Sequence, residues 1–402
     1  MAIKPPQWHD VVAEYLPGCE PGVATCLASA CSLLLEDSTV CPALVLVGPP
    51  SSFKTTIATM IEMEPLTMVL DNFSSKAFVS HYATKQVKKL KDEVDMLYKI
   101  KHKLLIVPDL GPFFNRRTDD LAESLGVLTR VLDGQGYVSH SGVHGQRGDH
   151  GDYRFGLLAA TTPIGGQVWK VMSALGPRLL MFNIKGQGST VDEQVDDMTH
   201  PLTFGQRLAE CKEAVQDTFR TAWDTGGGKV GGLVWDRKGD DRRILAMIAR
   251  LAALGSVMRS QTAREKRTGA DDYEYQEGVL EGPGRYRQSL YNLARGSAIS
   301  RQRKTLEIED LFPVLGVVMS TGPTERVSVI KYVASGRIIT TSTAQHVIGH
   351  AWHTADLALK SMVGMGLLEG DNEVALAEEY KWLTPLWKEY VWTIDYQNTS
   401  TI

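Results

Sequence analysis

The apolar positions of this chain change their period twice. From about residue 8 to residue 36 they recur at helical spacing, in VVAEYL and then in VATCLASACSLLLED, which predicts helices. They then close up into short unbroken runs: ALVLV at 43–47, TMVLD ending at Asp71, LLIV at 104–107, FGLLAATT ending at Thr162, and LLMFNI at 179–184. Short apolar runs bounded by Gly, Pro or Asp read as strands buried on both faces. Between them, helices are predicted at about 54–62, along NFSSKAFVSHYATKQVKKLKDEVDMLYKIKHK, from Asp119 to Leu132, and around Trp169. Strands alternating with helices predict an α/β core, a parallel sheet with helices on both faces. One stretch breaks the alternation: GQGYVSHSGVHGQRGDHGDYRF is glycine-rich, alternates in places, and predicts a hairpin or loop at about 137–152.

Beyond residue 200 the helical period returns. FGQRLAECKEAVQDTFRTAW and RRILAMIARLAALGSVM are long amphipathic helices, and GGGKVGG at 226–232 reads as a flexible joint between them. Residues 260–284 are charged and contain glycine, as a loop or hairpin would. RQSLYNLARGSAI and LEIEDLFPVLGVVM add two more helices. From about Glu325 to Thr393 the order is helix, short strand, helix, helix and LLEG, which is the order of a winged helix-turn-helix. The expected organisation is an N-terminal helical segment (1–40), a core (41–200), a helical region (201–322), and a winged-helix-like domain with an aromatic tail (323–402).

Composition narrows the class. With 402 residues, 43% hydrophobic and 22% charged, the chain reads as a soluble globular protein of two or three modules. The net charge of −4 gives no overall attraction to nucleic acid, so any basic surface must be local. No apolar run reaches the ~20 residues of a membrane span, and MAIKPPQWHD lacks a signal-peptide core. Four of the five cysteines (Cys19, Cys26, Cys31, Cys41) fall at spacings unlike zinc sites. Reduced, buried thiols in a cytoplasmic protein are the expectation.

The chemistry centres on one turn. Strand 43–47 runs into Gly48, and Pro49, Pro50, Ser51, Ser52 and Phe53 lead to Lys54, Thr55 and Thr56. A buried strand that breaks at glycine and restarts as a helix with Lys-Thr is a phosphate-binding loop. Lys54 would reach the outer phosphates of ATP, and the Thr55 hydroxyl would hold Mg²⁺. Phe53 stands where the pattern wants glycine. If that place needs a conformation only glycine adopts cheaply, Phe costs about 1–2 kcal/mol.

The phosphate loop, LLIVPD, AATTP and LGPRLLMFNI occur in the order of AAA+ ATPases. VLTRVLDGQGYVSHSG followed by RFGLLAATTP resembles the hairpin region of the minichromosome-maintenance helicase branch, and RYRQSLYNLARGSAI with EIEDL resembles its lid helices. Over roughly residues 40–370 the resemblance implies a P-loop AAA+ core with a helical lid and a C-terminal winged helix. It also implies a homo-oligomeric, ring-forming ATPase that moves along or remodels DNA. On this resemblance Thr162 matches the polar sensor, Arg178 the arginine finger that serves a neighbour's triphosphate, and Arg285 or Arg287 the second sensor on the lid. The family expects Asp-Glu after the apolar strand, whereas this chain has Pro108-Asp109-Leu110. Either Asp109 is the metal-side acid and the base is missing, or Pro108 replaces the first acid and Asp109 is a shortened base. Counting from the four apolar residues favours the second register. Asp71, Asp119 and Asp120 are the candidate substitutes. Slow hydrolysis, or a nucleotide-bound switch within a multi-protein system, is the alternative to a motor.

Other groups carry weaker signals. His140, His144 and His150 with Asp149 and Asp152 match no zinc spacing; a hairpin carrying Arg147 and histidines into a pore is the better functional reading. Lys85, Lys88, Lys89, Lys91, Lys99, Lys101 and Lys103 are interleaved with acids, as on a solvated helix. Arginines 242, 243, 250, 259, 264 and 267 would face DNA or, preferably, a neighbouring subunit. The recognition helix at about His353–Met365 has few basic side chains apart from Lys360. The remaining donors are His350, His353, Lys331, Arg326 and Arg337, which suits a protein partner at least as well as DNA. Tyr380, Trp382, Trp387, Tyr390, Trp392 and Tyr396 form either the core of the small domain or an exposed binding strip.

Overall fold

A computed structural model describes residues 7–79, 95–141, 145–176, 178–185, 191–260, 264–266, 273–275 and 282–399. Most of the basic helix expected before strand 104–107, with Lys85, Lys88, Lys89 and Lys91, lies outside these residues, as do His144 and Arg267.

Five parallel strands form the central sheet: β1 (Ala43–Val47), β2 (Thr67–Val69), β3 (Leu104–Val107), β6 (Gly156–Thr161) and β7 (Leu180–Asn183). Their order is β2-β3-β6-β1-β7, so β1 lies between β6 and β7. Every residue of β1, β3 and β6 is buried, as continuous apolar runs require. The side chains alternate between two layers. Leu44, Leu46, Ile106 and Phe182 enter one core, and Val45, Val47, Val107 and Met181 enter the other. The hairpin falls where the sequence placed it, as β4 (Gly136–Ser141) paired antiparallel with β5 (Gly145–His150), and a second antiparallel pair is made by β8 (Arg264–Lys266) and β9 (Tyr273–Tyr275).

The helices α1 (Gln7–Tyr15), α2 (Glu20–Ser32), α3 (Lys54–Thr59), α4 (Gly111–Phe114), α5 (Thr118–Val131) and α6 (Gly166–Leu175) belong to the first half of the chain. The helices α7 (Phe204–Thr225), α8 (Arg242–Arg259), α9 (Gly284–Ser300) and α10 (Leu311–Val318) follow. α5 and α6 cover one face of the sheet. The other face packs on α2, α8, α9 and α10 in a single continuous core. α2 is the centre of that layer, with eleven of its thirteen residues buried. It crosses α9 so closely that a Cβ on Gly296 would stand 1.9 Å from the Ala28 carbonyl oxygen. Glycine is therefore required at 296 by backbone approach.

The GGGKVGG segment is not a free joint. Gly231 N–H donates to the Leu33 carbonyl (3.2 Å), Leu233 N–H to Leu34 (2.9 Å), and Glu36 N–H to Leu233 (2.9 Å). Those bonds fasten the turn to the chain that leaves α2. All five cysteines are free and buried.

The C-terminal part contains α11 (Thr324–Ala334), β10 (Ile339–Thr340), α12 (Thr341–Ile348), α13 (Trp352–Gly364), β11 (Leu368–Glu369), β12 (Glu373–Leu376) and α14 (Leu383–Thr399). β12 pairs antiparallel with both β10 and β11. Up to residue 391 the aromatic tail is core rather than an exposed strip. Tyr380, Leu383, Leu386 and Tyr390 are buried, and the Tyr390 ring meets Phe312 of α10 edge-on at 5.9 Å. Among the described residues, no helix is long and apolar enough to cross a membrane.

Candidate phosphate-binding site

The sheet register aligns the C-terminal ends of β1, β6 and β7, pairing Val47 with Thr161 and with Asn183. Gly48 leaves that edge, and its N–H donates to the Thr161 carbonyl at 3.1 Å. A Cβ at Gly48 would come within 2.5 Å of Ser52 Oγ, so the turn closes only around glycine. Ser52 Oγ donates to the Pro49 carbonyl (2.9 Å), and Lys54 Nζ reaches the same oxygen (2.9 Å). Lys54 then opens α3.

Two residues of the turn have left-handed backbones, Ser51 at φ 61° and Phe53 at φ 57°. The glycine-like place predicted for Phe53 is thus a left-handed one. Its ring is half-buried and stacks on Phe204 at 6.0 Å and 30°. A left-handed residue followed by a helical one turns successive N–H groups to the same side, which makes an anion-binding nest. The backbone N–H groups from Ser51 to Thr56 find no acceptor among the described residues.

The acid strand ends beside this turn. Thr55 Oγ1 donates to the Pro108 carbonyl at 3.2 Å. Asp109 is exposed, and its Oδ1 accepts the Gly111 N–H at 2.8 Å at the start of α4. Proline, not a carboxylate, therefore meets the Thr55 hydroxyl. Thr162 is exposed just past β6, at the same edge of the sheet. Asp71 follows β2, which is separated from β1 by β3 and β6, roughly 14 Å away at ordinary strand spacing. Asp119 and Asp120 are exposed in the first turn of α5, with Asp120 paired to Arg117.

The arginines gather at the opposite edge. Arg178 precedes β7, and its Nε lies 3.4 Å from Asp133 Oδ1. Arg285 Nη1 reaches that same oxygen at 2.6 Å, and Arg130 pairs with Asp133 Oδ2 at 3.1 Å. Arg287 is exposed. Asp133 lies next to Leu132, whose carbonyl accepts the Cys41 N–H ahead of β1. The five residues of β1 thus separate this cluster from the turn at Gly48 by roughly 16 Å. The sequence reading missed Asp133; its only signal is an acid between a helix end and Gly134.

Elsewhere, the hairpin is tied to its surroundings by Tyr98, whose hydroxyl donates to Asp149 at 2.5 Å. His140 and His150 are exposed and Arg147 is half-buried. Among the described residues, no group of three His, Cys, Asp or Glu side chains could hold a metal ion. On α13, Lys360 is paired with Asp356 at 3.1 Å. Arg326 is buried and donates to the Ser260 carbonyl at 2.9 Å. Burial and the charge of Lys185 push the Lys331 ammonium down to about 8. Of the arginines on α8, Arg243 pairs with Asp241 (2.7 Å) and Arg259 is buried.

No model of a known protein family matches the chain, and no curated protein is significantly similar to it.

Proposed function

We propose that this chain is an AAA+-type P-loop protein that binds ATP with Mg²⁺, hydrolyses it slowly, and works as a nucleotide-dependent switch in a homo-oligomer. The observation that carries the reading is the row of acceptor-free N–H groups from Ser51 to Thr56 around a left-handed turn that ends in Lys54. Such a concavity suits a polyphosphate. Lys54 would neutralise the outer phosphates, and Thr55 would hold the metal. The metal would polarise the terminal phosphate and offset its charge when bound.

Slow turnover is supported by Pro108 standing at the Thr55 hydroxyl. This favours the register in which Pro108 takes the place of the metal-side acid. Asp109 is then the single carboxylate left to orient water, with Thr162 as its polar neighbour on the next strand. Oligomer action is supported by Arg178 and Arg285, which sit at the far edge of the sheet from their own loop. From there they can offset transition-state charge only on a neighbour's triphosphate. The C-terminal part, read as a winged helix, suits a protein contact. Its one recognition-helix lysine is already ion-paired, and Arg326 is buried.

A DNA-driven motor is the second reading, favoured by the β4–β5 hairpin and Arg147. One assay separates the two: ATP turnover without DNA, with single-stranded DNA and with duplex. The switch reading expects slow turnover that DNA does not raise, loss with Lys54→Ala, and reduction with Arg178→Ala. Strong stimulation by DNA would replace it with the motor.

A further inference from the structure

A cavity of about 1040 Å³ lies apart from the Gly48–Thr56 turn, none of whose residues lines it. Its walls come from α1, α2 and α7, from the turn between α9 and α10, and from α14. Glu20 lines it while only 3% exposed, and neither carboxylate oxygen has a side-chain hydrogen-bond partner. Trp8 lines it too, also 3% exposed, with its indole N–H unpartnered. Burial pushes the Glu20 carboxyl above the usual carboxylate range, opposed by the Glu20 N–H, by His9 and by the Gly18 N–H. Native proteins leave few buried polar groups without partners, because each costs about 1–3 kcal/mol.

The rest of the lining shows what would complete the pair. α7 turns Glu210 and Glu213 toward the same space, three positions apart, while Asp217 further along that face is paired with Arg220. The two arginines of the lining, Arg301 and Arg303, are both committed to Glu309. The unbalanced charge is negative. A bare metal ion does not fit, since no three metal-ligating side chains converge among the described residues. Phe182, Phe312 and Tyr390 give the cavity apolar wall as well. The volume lies just above the usual range for small-molecule sites, about 300–1,000 Å³.

We propose that this cavity is a binding site for an organic cation. An ammonium or guanidinium group seats against Glu20, an apolar body packs against Phe312 and Tyr390, and an oxygen of the ligand accepts the Trp8 N–H. The site is independent of the nucleotide reading.

Tyramine, an ammonium on an aromatic body with an acceptor oxygen, is the probe. Tyrosol, its neutral isostere, is the control, and both are titrated into the full chain by calorimetry and ligand-observed NMR. The expected result is tyramine binding at least about tenfold tighter than tyrosol, the effect of one charge-assisted contact. Glu20→Gln should abolish that preference, while Trp8→Phe should weaken both ligands by a similar factor. Glu213→Gln carries the charge test if Glu20→Gln does not fold, and should reduce tyramine affinity alone. The proposal is overturned by no tyramine binding, by equal binding of tyrosol, or by acid variants that bind tyramine as the wild type does.

Discussion

Phe53 offers a test of the loop's backbone separate from any ligand. Its φ of 57° puts a bulky side chain in the left-handed region, and its ring stacks on Phe204. Two substitutions remove the ring equally and differ only in backbone preference. In Phe53→Ala the Cβ remains, so the left-handed cost of about 1–2 kcal/mol remains. In Phe53→Gly that cost disappears, and the unfolded chain gains freedom worth about 0.5–1 kcal/mol. Taking the middle of each range, Phe53→Gly should be more stable than Phe53→Ala by about 0.75 kcal/mol. At an ordinary helical position the order is reversed by a similar amount. Both variants should fall below wild type, since stacking of this kind contributes about 0.5–1.5 kcal/mol beyond area burial. Urea denaturation of the three proteins side by side is the assay. If Phe53→Ala equals or exceeds Phe53→Gly in stability, the turn is not left-handed at this residue and the nest argument fails with it.

Three further outcomes follow from the packing and charges. Asp133→Asn leaves Arg178 and Arg285 without their shared acid and should destabilise by about 3 kcal/mol, read as a lowered urea midpoint. Gly296→Ala drives a Cβ into the Ala28 carbonyl and should cost about 3 kcal/mol or more, seen as loss of soluble folded protein in circular dichroism; a neutral result would separate α2 from α9. Burial pushes the Asp310 carboxyl from 3.8 up to about 6, against Arg303, the Glu307 N–H, Arg301 and Ser297. The folded protein holds that proton more tightly than the unfolded chain. Its stabilising effect is therefore complete below the unfolded value and is lost as pH rises through about 6. Melting temperatures from pH 4 to 7 should show this fall in wild type and a flatter line in Asp310→Asn.

Where one element dictates its own environment, the sequence was enough to read. β1 and β3 are apolar throughout because both faces are covered, and the amphipathic α5 matched its pattern to within a residue or so. The strand-to-helix turn from Gly48 to Lys54 was legible because the residues that make it are neighbours in the chain. Residues brought together from distant segments were not. Asp133 gathers arginines from three places, and nothing near it in the chain signals that. GGGKVGG read as a joint because glycine permits freedom, while the bonds from Leu33 and Leu34 that fix it come from residues some two hundred positions away. α2 carried no warning that it would centre the helical layer, since a helix apolar all round looks the same wherever it is buried. The Glu20 cavity is assembled from α1, α2, α7, α14 and the turn before α10, and no single stretch encodes it.

The proposed function depends on the turn from Gly48 to Thr56 gripping a triphosphate. Calorimetric titration of a non-hydrolysable ATP analogue with Mg²⁺ tests it directly, using wild type and Lys54→Ala. Wild type should bind saturably, and Lys54→Ala should bind about tenfold more weakly or worse, since a lost hydrogen bond to a charged group costs about 1.5–3 kcal/mol. An absence of binding in wild type, or equal affinity in the two proteins, would contradict it.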